Sequence, residues 1–231
     1  MTFYTHSGLP ALLSLSHPST PDRIGLARFL RVLKSPSIRS GDVTKFLQYR
    51  NIQTPIGPMV AMANDVGLSL LEFDDRPALP PEIEELERRY GYTIEPGRNA
   101  ILDHIEAELN GYFAGKLTQF ETPLVVPGRP FQLEIWSRLQ DIPYGEACTY
   151  GDLARAIGNP GSSRAVGAAN GQNRVAIVIP CHRVIGADGS LTGYGGGQRR
   201  KRFLLDLEHR VFAGMANRPV FHPITAQGSL F

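Results

Sequence analysis

A cysteine and a histidine stand side by side where the chain must change direction. "AIVIPCHRVIG" (176–186) runs an apolar stretch into Pro180 and follows it with Cys181, His182 and Arg183. A thiol is a strong nucleophile only as its thiolate, and a neighbouring imidazole and guanidinium favour that form. The glycine-rich "GYGGG" (193–197) comes soon after, and bare backbone N–H groups suit close approach to a ligand. On these residues alone Cys181 has three readings: core filler, half of a metal or disulfide pair, or nucleophile. Cys148 and Cys181 are the only cysteines in 231 residues, with no CxxC and no Cys/His cluster at zinc spacing. No metal site and no disulfide framework is therefore expected. If "VAIVI" is a strand ended by Pro180, successive side chains point to opposite faces. His182 would then need a water to take a proton from Cys181.

Those residues need a scaffold. "KFLQYRNIQ", "GPMVAMA" and "GLSLLEF" read as strands, the last two joined by the turn "NDVG". "PPEIEELERRYG" reads as a helix opened by proline and closed by Gly91. Ile101, Ile105, Leu109 and Phe113 fall at helical spacing. Residues 41–126 form a small α/β subdomain on this reading, and "TPLVVPGRP" is an extended connection. Residues 127–212 are mainly helical. "FQLEIWSRLQDI" is amphipathic, with Leu133, Trp136 and Leu139 apolar. "TYGDLARAIG" starts with a capping-box pattern, Thr149 and Asp152, and ends at Gly158. After "NPG", "SSRAVGAANGQN" forms a further helix capped by Ser162 or Ser163, so the pair reads as a helix-turn-helix. This second helix is smooth beyond Arg164: Ala165, Val166, Gly167, Ala168 and Ala169 follow. A major-groove reader carries long polar side chains. Small residues suit a narrow surface such as a minor groove, or tight helix packing. Residues 1–40 read as an extension with one short helix, "PDRIGLARFLRVLK".

Composition narrows the class. Hydrophobic residues make up 42% and charged residues 20%, which fits a soluble globular chain. The longest apolar runs fall far short of the roughly 18 residues of a membrane span. The N-terminus has no basic region ahead of its apolar patch, so a signal peptide is not expected and a reducing, cytoplasmic setting is. Residues 128–212 hold 11 Lys and Arg against 7 Asp and Glu, a mildly basic half suited to a polyanion.

"IPCHRV", with "SSRAVGAANGQN" upstream and "GADGSLTGYGGGQRRKRFLLDLEH" downstream, resembles the O6-methylguanine-DNA methyltransferase (alkylguanine-DNA alkyltransferase) family. The resemblance runs from about Arg129 to His209, and more weakly through "TPIGPMVAMANDVGLSLLEF". It implies an RNase H-like α/β subdomain followed by a winged-helix-like helix-turn-helix domain. It also implies direct, irreversible transfer of an alkyl group from O6 of a flipped guanine, and from O4 of thymine, to Cys181. Each molecule would act once, without cofactor, as a monomer on the minor groove of double-stranded DNA. His182 would deprotonate Cys181 through a water, Glu208 would hold His182, and Asn173 would brace the active-site turn. Tyr150 would help rotate the nucleotide and donate to N3 of the leaving guanine. Arg164 would fill the gap left in the base stack, with Ala165, Gly167 and Ala168 lying in the groove. Tyr194, Gly195 and Gly196 would wall the base pocket. Some relatives carry serine at Gly195 and proline at Ala176, so the O6 contact would come from backbone and the pocket would be wider.

Residues 213–231 read as a flexible tail. Its "QGSLF" resembles the peptide with which bacterial repair proteins dock on the sliding clamp, Leu230 and Phe231 filling an apolar pocket while Gln227 makes a polar contact. Two other functions compete. A non-catalytic alkyl-DNA-binding module would replace the cysteine, and an alkylation-switched transcriptional regulator would need a further domain.

Overall fold

The computed structural model describes residues 45–216. The helix expected in "PDRIGLARFLRVLK" and the "QGSLF" tail lie outside the described residues.

Three strands, β1 (Phe46–Ile52), β2 (Met59–Ala63) and β3 (Leu68–Phe73), form the antiparallel heart of a four-stranded sheet, in the order β3-β2-β1 with a fourth strand beyond β1. Gln48 faces Ala63 and Ile52 faces Met59, while Met59 faces Phe73 on the other side. Alternation divides β2 and β3 between two cores, so both read as unbroken apolar runs. Val60, Met62 and Leu70 meet helix α1 (Leu79–Arg88), whereas Met59, Ala61, Leu71 and Phe73 face the rest of the molecule. β4 (Thr93–Pro96), which the sequence does not announce, pairs parallel to β1 from the sheet edge. It is short and ends in proline, which weakens any strand signal. Gly91, at φ 73°, turns the chain from α1 into β4.

Helix α2 (Ala100–Phe113) begins where Asn99 Oδ1 accepts from Leu102 N at 2.9 Å. Its buried stripe is Leu102, Ile105, Leu109 and Tyr112; Ile101 and Phe113 are only half-buried. Ile105 and Leu109 fall as expected, whereas a strict four-residue step drifts off the buried face at both ends, where Leu102 and Tyr112 stand in place of Ile101 and Phe113.

In the second half, α3 (Pro130–Gln140) buries Ile135, Trp136 and Leu139. Leu133, expected in the core, is 43% exposed. Trp136 Nε1 donates to Ala169 O at 2.9 Å and ties α3 to the helix-turn-helix, α4 (Tyr150–Ala156) and α5 (Ser163–Gly171). The Thr149–Asp152 capping box forms, with Asp152 N donating to Thr149 Oγ1 and Thr149 N to Asp152 Oδ2. Ser162 occupies the N-cap position of α5, but its side chain makes no capping hydrogen bond. Ser162 Oγ donates back to Asn159 O at 2.7 Å, because a 3-10 turn, Pro160–Ser162, leads into the helix. A two-residue ladder of β5 (Cys148–Thr149) and β6 (Val184–Ile185), then α6 (Gln198–Ala216), complete the described chain.

One expectation near the site fails. "VAIVI" is not a strand: Val175 alone bridges β3, opposite Leu71. Leu71 N donates to Arg174 O and Ala176 N to Leu71 O, both at 2.8 Å. The chain then turns at Ile177, the one non-glycine residue with positive φ (73°) among the described residues. Apolar β-branched residues imitate a strand here, yet their backbone groups are taken by local turns and by the Asn173 side chain.

Candidate active site

Asn173 organises the turn that presents the thiol. Its Oδ1 accepts from Val175 N at 3.0 Å, and its Nδ2 donates to Ile179 O at 2.8 Å. The same Nδ2 lies 3.0 Å from Cys181 Sγ. Cys181 opens a single 3-10 turn, Cys181–Arg183, and is 5% exposed. Burial pushes its thiol up to about 11, against the Asn173 hydrogen bond and the positive charges of Arg76 and Lys201. The resting group is therefore a thiol, and a proton must leave when substrate arrives.

His182 faces away from Sγ because the 3-10 turn rotates it toward α6. No hydrogen bond joins the two side chains. His182 is fully buried, with Nε2 2.8 Å from Glu208 Oε1. Burial lowers its pKa despite the Glu208 carboxylate. Glu208 can only accept, so Nε2 carries the hydrogen and Nδ1 keeps its lone pair. Nδ1 is buried and has no hydrogen-bond partner in the protein.

Arg183 departs from expectation. It does not attend the thiol but grips Glu208, Nε to Oε2 at 2.8 Å and Nη2 to Oε1 at 3.0 Å, with Nη1 donating to Ile142 O at 2.6 Å. Tyr112 OH from α2 donates to Glu208 Oε1 at 2.8 Å, and Gly145 N to Oε2 at 3.2 Å. Burial alone would raise the Glu208 pKa; His182 and Arg183 outweigh it and hold the carboxyl well below its usual range. Glu208 is thus a buried anion with five donors, more enclosed than its place among leucines suggested.

The remaining predicted residues surround this centre. Tyr150 opens α4 and donates from OH to Thr192 O at 2.9 Å. A Cβ on Gly193, at φ 75°, would fall 2.2 Å from that hydroxyl, so glycine is required there. Tyr194 is buried edge-on to His182, ring centroids 6.4 Å apart. Gly195 is exposed and Gly196 half-buried in the loop beyond it. On α5, Arg164, Ala165 and Ala168 are exposed, and Gly167 lies against the Tyr150 ring. Ala176 is buried. Cys148 sits outside the cluster, its thiol pushed up to about 12 by burial and by Asp152.

Several contributors escaped the sequence reading. Lys201 is fully buried, its Nζ donating to Val184 O at 2.5 Å and Thr192 O at 2.8 Å. Arg200 reaches the first subdomain, where it pairs with Asp75 at 2.8 Å and covers the Phe73 ring at 4.1 Å. Arg76, Glu72 and Tyr112 come from that subdomain too. The one local signal available for any of them, the charged "DDRP" turn after an apolar strand, marks Arg76 alone. Among the described residues no cluster of His, Cys, Asp and Glu could hold a metal ion, and no helix is long and apolar enough to cross a membrane.

Residues 130–210 match the family model of the 6-O-methylguanine DNA methyltransferase DNA binding domain, and residues 47–126 match its ribonuclease-like domain. The chain belongs to the O6-methylguanine-DNA methyltransferase family. The methylated-DNA--protein-cysteine methyltransferase of Mycolicibacterium paratuberculosis is 47% identical over 164 residues, covering 71% of this chain and 93% of that protein. Its counterpart in Methanosarcina acetivorans is 42% identical over 165 residues, covering 70% and 98%. Among solved structures, the O6-methylguanine methyltransferase of Mycobacterium tuberculosis superposes with a TM-score of 0.61 at 45% identity, covering 71% of this chain and 93% of that one. The M. tuberculosis OGT in complex with DNA gives 0.61 at 44% identity, over 71% and 94%. The ribonuclease-like and helical DNA-binding halves expected from sequence are the ones this family has.

Proposed function

We infer that this protein repairs alkylated DNA by moving the alkyl group from O6 of guanine onto Cys181, once per molecule. The observation that carries the reading is a buried thiol hydrogen-bonded to Asn173 beside a neutral histidine locked by a buried carboxylate.

Binding presents the alkyl carbon to Sγ, and the base must leave the stack, because that carbon cannot be reached inside a duplex. The thiol proton passes through a bridging water to His182 Nδ1, the only ring nitrogen with a free lone pair. The imidazolium that forms is stabilised by Glu208. The thiolate then displaces guanine: the C–S bond forms, the C–O bond breaks, and the electron pair stays on O6. Tyr150 donates a hydrogen bond to N3 as the base leaves, which stabilises the negative charge developing on the guanine. The step is redox-neutral and requires no cofactor. A thioether offers no leaving group that restores the thiolate, hence the single turnover. Exposed Arg164 occupies the stack where the base was, with Ala165, Gly167 and Ala168 against the minor groove and Tyr194, Gly195 and Gly196 around the base. The same displacement extends to O4 of thymine.

The proposed division is residues 41–126 for the α/β subdomain and 127–212 for the alkyl-acceptor domain. The protein acts as a cytoplasmic monomer, and Gln227, Leu230 and Phe231 dock on a sliding clamp. A clamp pull-down with and without residues 227–231 tests the tail; equal retention removes it. For the reaction, the protein is incubated with duplex DNA containing O6-methylguanine and weighed. One methyl gained, and none in Cys181→Ala, is expected; an unchanged mass refutes the reading.

A further inference from the structure

Arg76, from the α/β subdomain, places its guanidinium directly behind Gly195 of the proposed base-pocket wall. It is 6% exposed and lies in the turn after β3. Its Nη1 bonds Glu72 Oε2 at 2.6 Å and sits 3.2 Å from Glu82 Oε1, two carboxylates of its own subdomain. From that anchorage it crosses to the other half: Nη2 donates to Gly171 O, the end of α5, at 2.5 Å, and Nη1 reaches Asn173 O at 3.4 Å. Asn173 is the residue that hydrogen-bonds Cys181 Sγ.

The same guanidinium is pressed flat against the wall loop. A Cβ on Gly195 would fall 2.6 Å from Arg76 Nε and 2.9 Å from both Cζ and Nη2. Next along, a Cβ on Gly196 would meet Phe73 at 2.8 Å, and Phe73 is itself covered by Arg200. Gly195 and Gly196 therefore have no space to move toward the first subdomain. A planar, five-donor group is suited to holding two carbonyls and a backbone face together; an ammonium is not.

We propose that Arg76 is a positioning and specificity-determining residue, which holds the Gly195 wall and the Asn173 turn at a fixed separation and thereby limits the size of alkyl group delivered to Cys181. The proposal rests on the alkyl-transfer reading above. Without the guanidinium the loop recedes toward the first subdomain, which makes room for a bulky substituent but places a methyl less accurately.

The test compares wild type, Arg76→Ala and Arg76→Lys in single-turnover transfer from duplexes bearing O6-methylguanine or O6-benzylguanine, with duplex affinity measured alongside. In Arg76→Ala the methyl-transfer rate constant is expected to fall about tenfold, the scale of a slight misplacement of reacting groups. Benzyl transfer should fall less or rise, so that the benzyl-to-methyl ratio increases at least about threefold, with duplex affinity within about twofold. Arg76→Lys keeps the charge, loses the flat fork and should also show the raised ratio. A merely structural role lowers both rates in proportion, and an unchanged ratio in both variants overturns the proposal. If Arg76→Ala does not fold, Arg76→Lys decides by the same ratio. If the wild type transfers neither group, it is the alkyl-transfer reading that fails.

Discussion

Replacing Glu208 with glutamine keeps the side-chain shape and removes one charge. Both carboxylate oxygens accept from Arg183, Nε at Oε2 and Nη2 at Oε1. Whichever way the amide of Glu208→Gln turns, its NH2 faces a guanidinium N–H, and the Arg183 charge is left buried without a counter-ion. Leaving one member of such a pair alone costs about 3–5 kcal/mol. For a domain of this size that corresponds to a fall of about 6–20 °C in Tm. The pH dependence has a definite sign. The Glu208 carboxyl is held below its ordinary value in the folded state. Its contribution is present above the unfolded carboxyl value, about 4.3, and is lost as pH falls below that. Wild type should thus lose stability on acidification beneath about pH 4.3 more steeply than the variant. The catalytic loss is expected to be larger than the stability loss suggests. His182 Nε2 keeps at best a neutral amide oxygen as acceptor, and the imidazolium loses its counter-charge, a change worth about 100-fold or more in single-turnover transfer. Thermal melts from pH 3 to 8 and quenched transfer assays read both effects. A variant within about 1 kcal/mol of wild type that transfers at a comparable rate would refute the account of Glu208 as a buried anion.

Three further outcomes are expected. Tyr112→Phe removes one of the five donors to Glu208 and should cost about 1–2 kcal/mol in chemical denaturation, with a much smaller rate loss than Glu208→Gln. Resting Cys181, with its thiol pushed up to about 11, should react slowly with iodoacetamide at neutral pH and progressively faster as pH rises toward that value, as mass spectrometry of the labelled peptide can show. Gly193→Ala forces a side chain within 2.2 Å of the Tyr150 hydroxyl at a positive φ; transfer from duplex DNA should fall while α4 and α5 keep their helicity by circular dichroism.

The elements and the acceptor were legible because local signals carry them. Strands β1 to β3 followed from short apolar runs bounded by turns, and α4 from Thr149 and Asp152, whose side chains cap the backbone within one turn. The Cys–His pair and the spacing of Asn173, Tyr150 and Glu208 lie in continuous motifs. Where local pattern and tertiary contact disagree, local pattern misleads: "VAIVI" has strand composition but one strand contact, and Leu133 has helical spacing but faces solvent.

From sequence alone, then, came the kind of chemistry: a lone nucleophile, its histidine, and a smooth helix beside one arginine. The tertiary structure decided which atoms face which. Arg183, two residues from the thiol in sequence, spends its charge on Glu208, since a 3-10 turn rotates it there. The charge behind Gly195 comes instead from Arg76, which lies 105 residues before Cys181 and is brought there as β3 docks on Val175. A spacing pattern records neighbours along the chain, whereas burial, ionisation and pocket shape depend on groups that folding brings together from both halves.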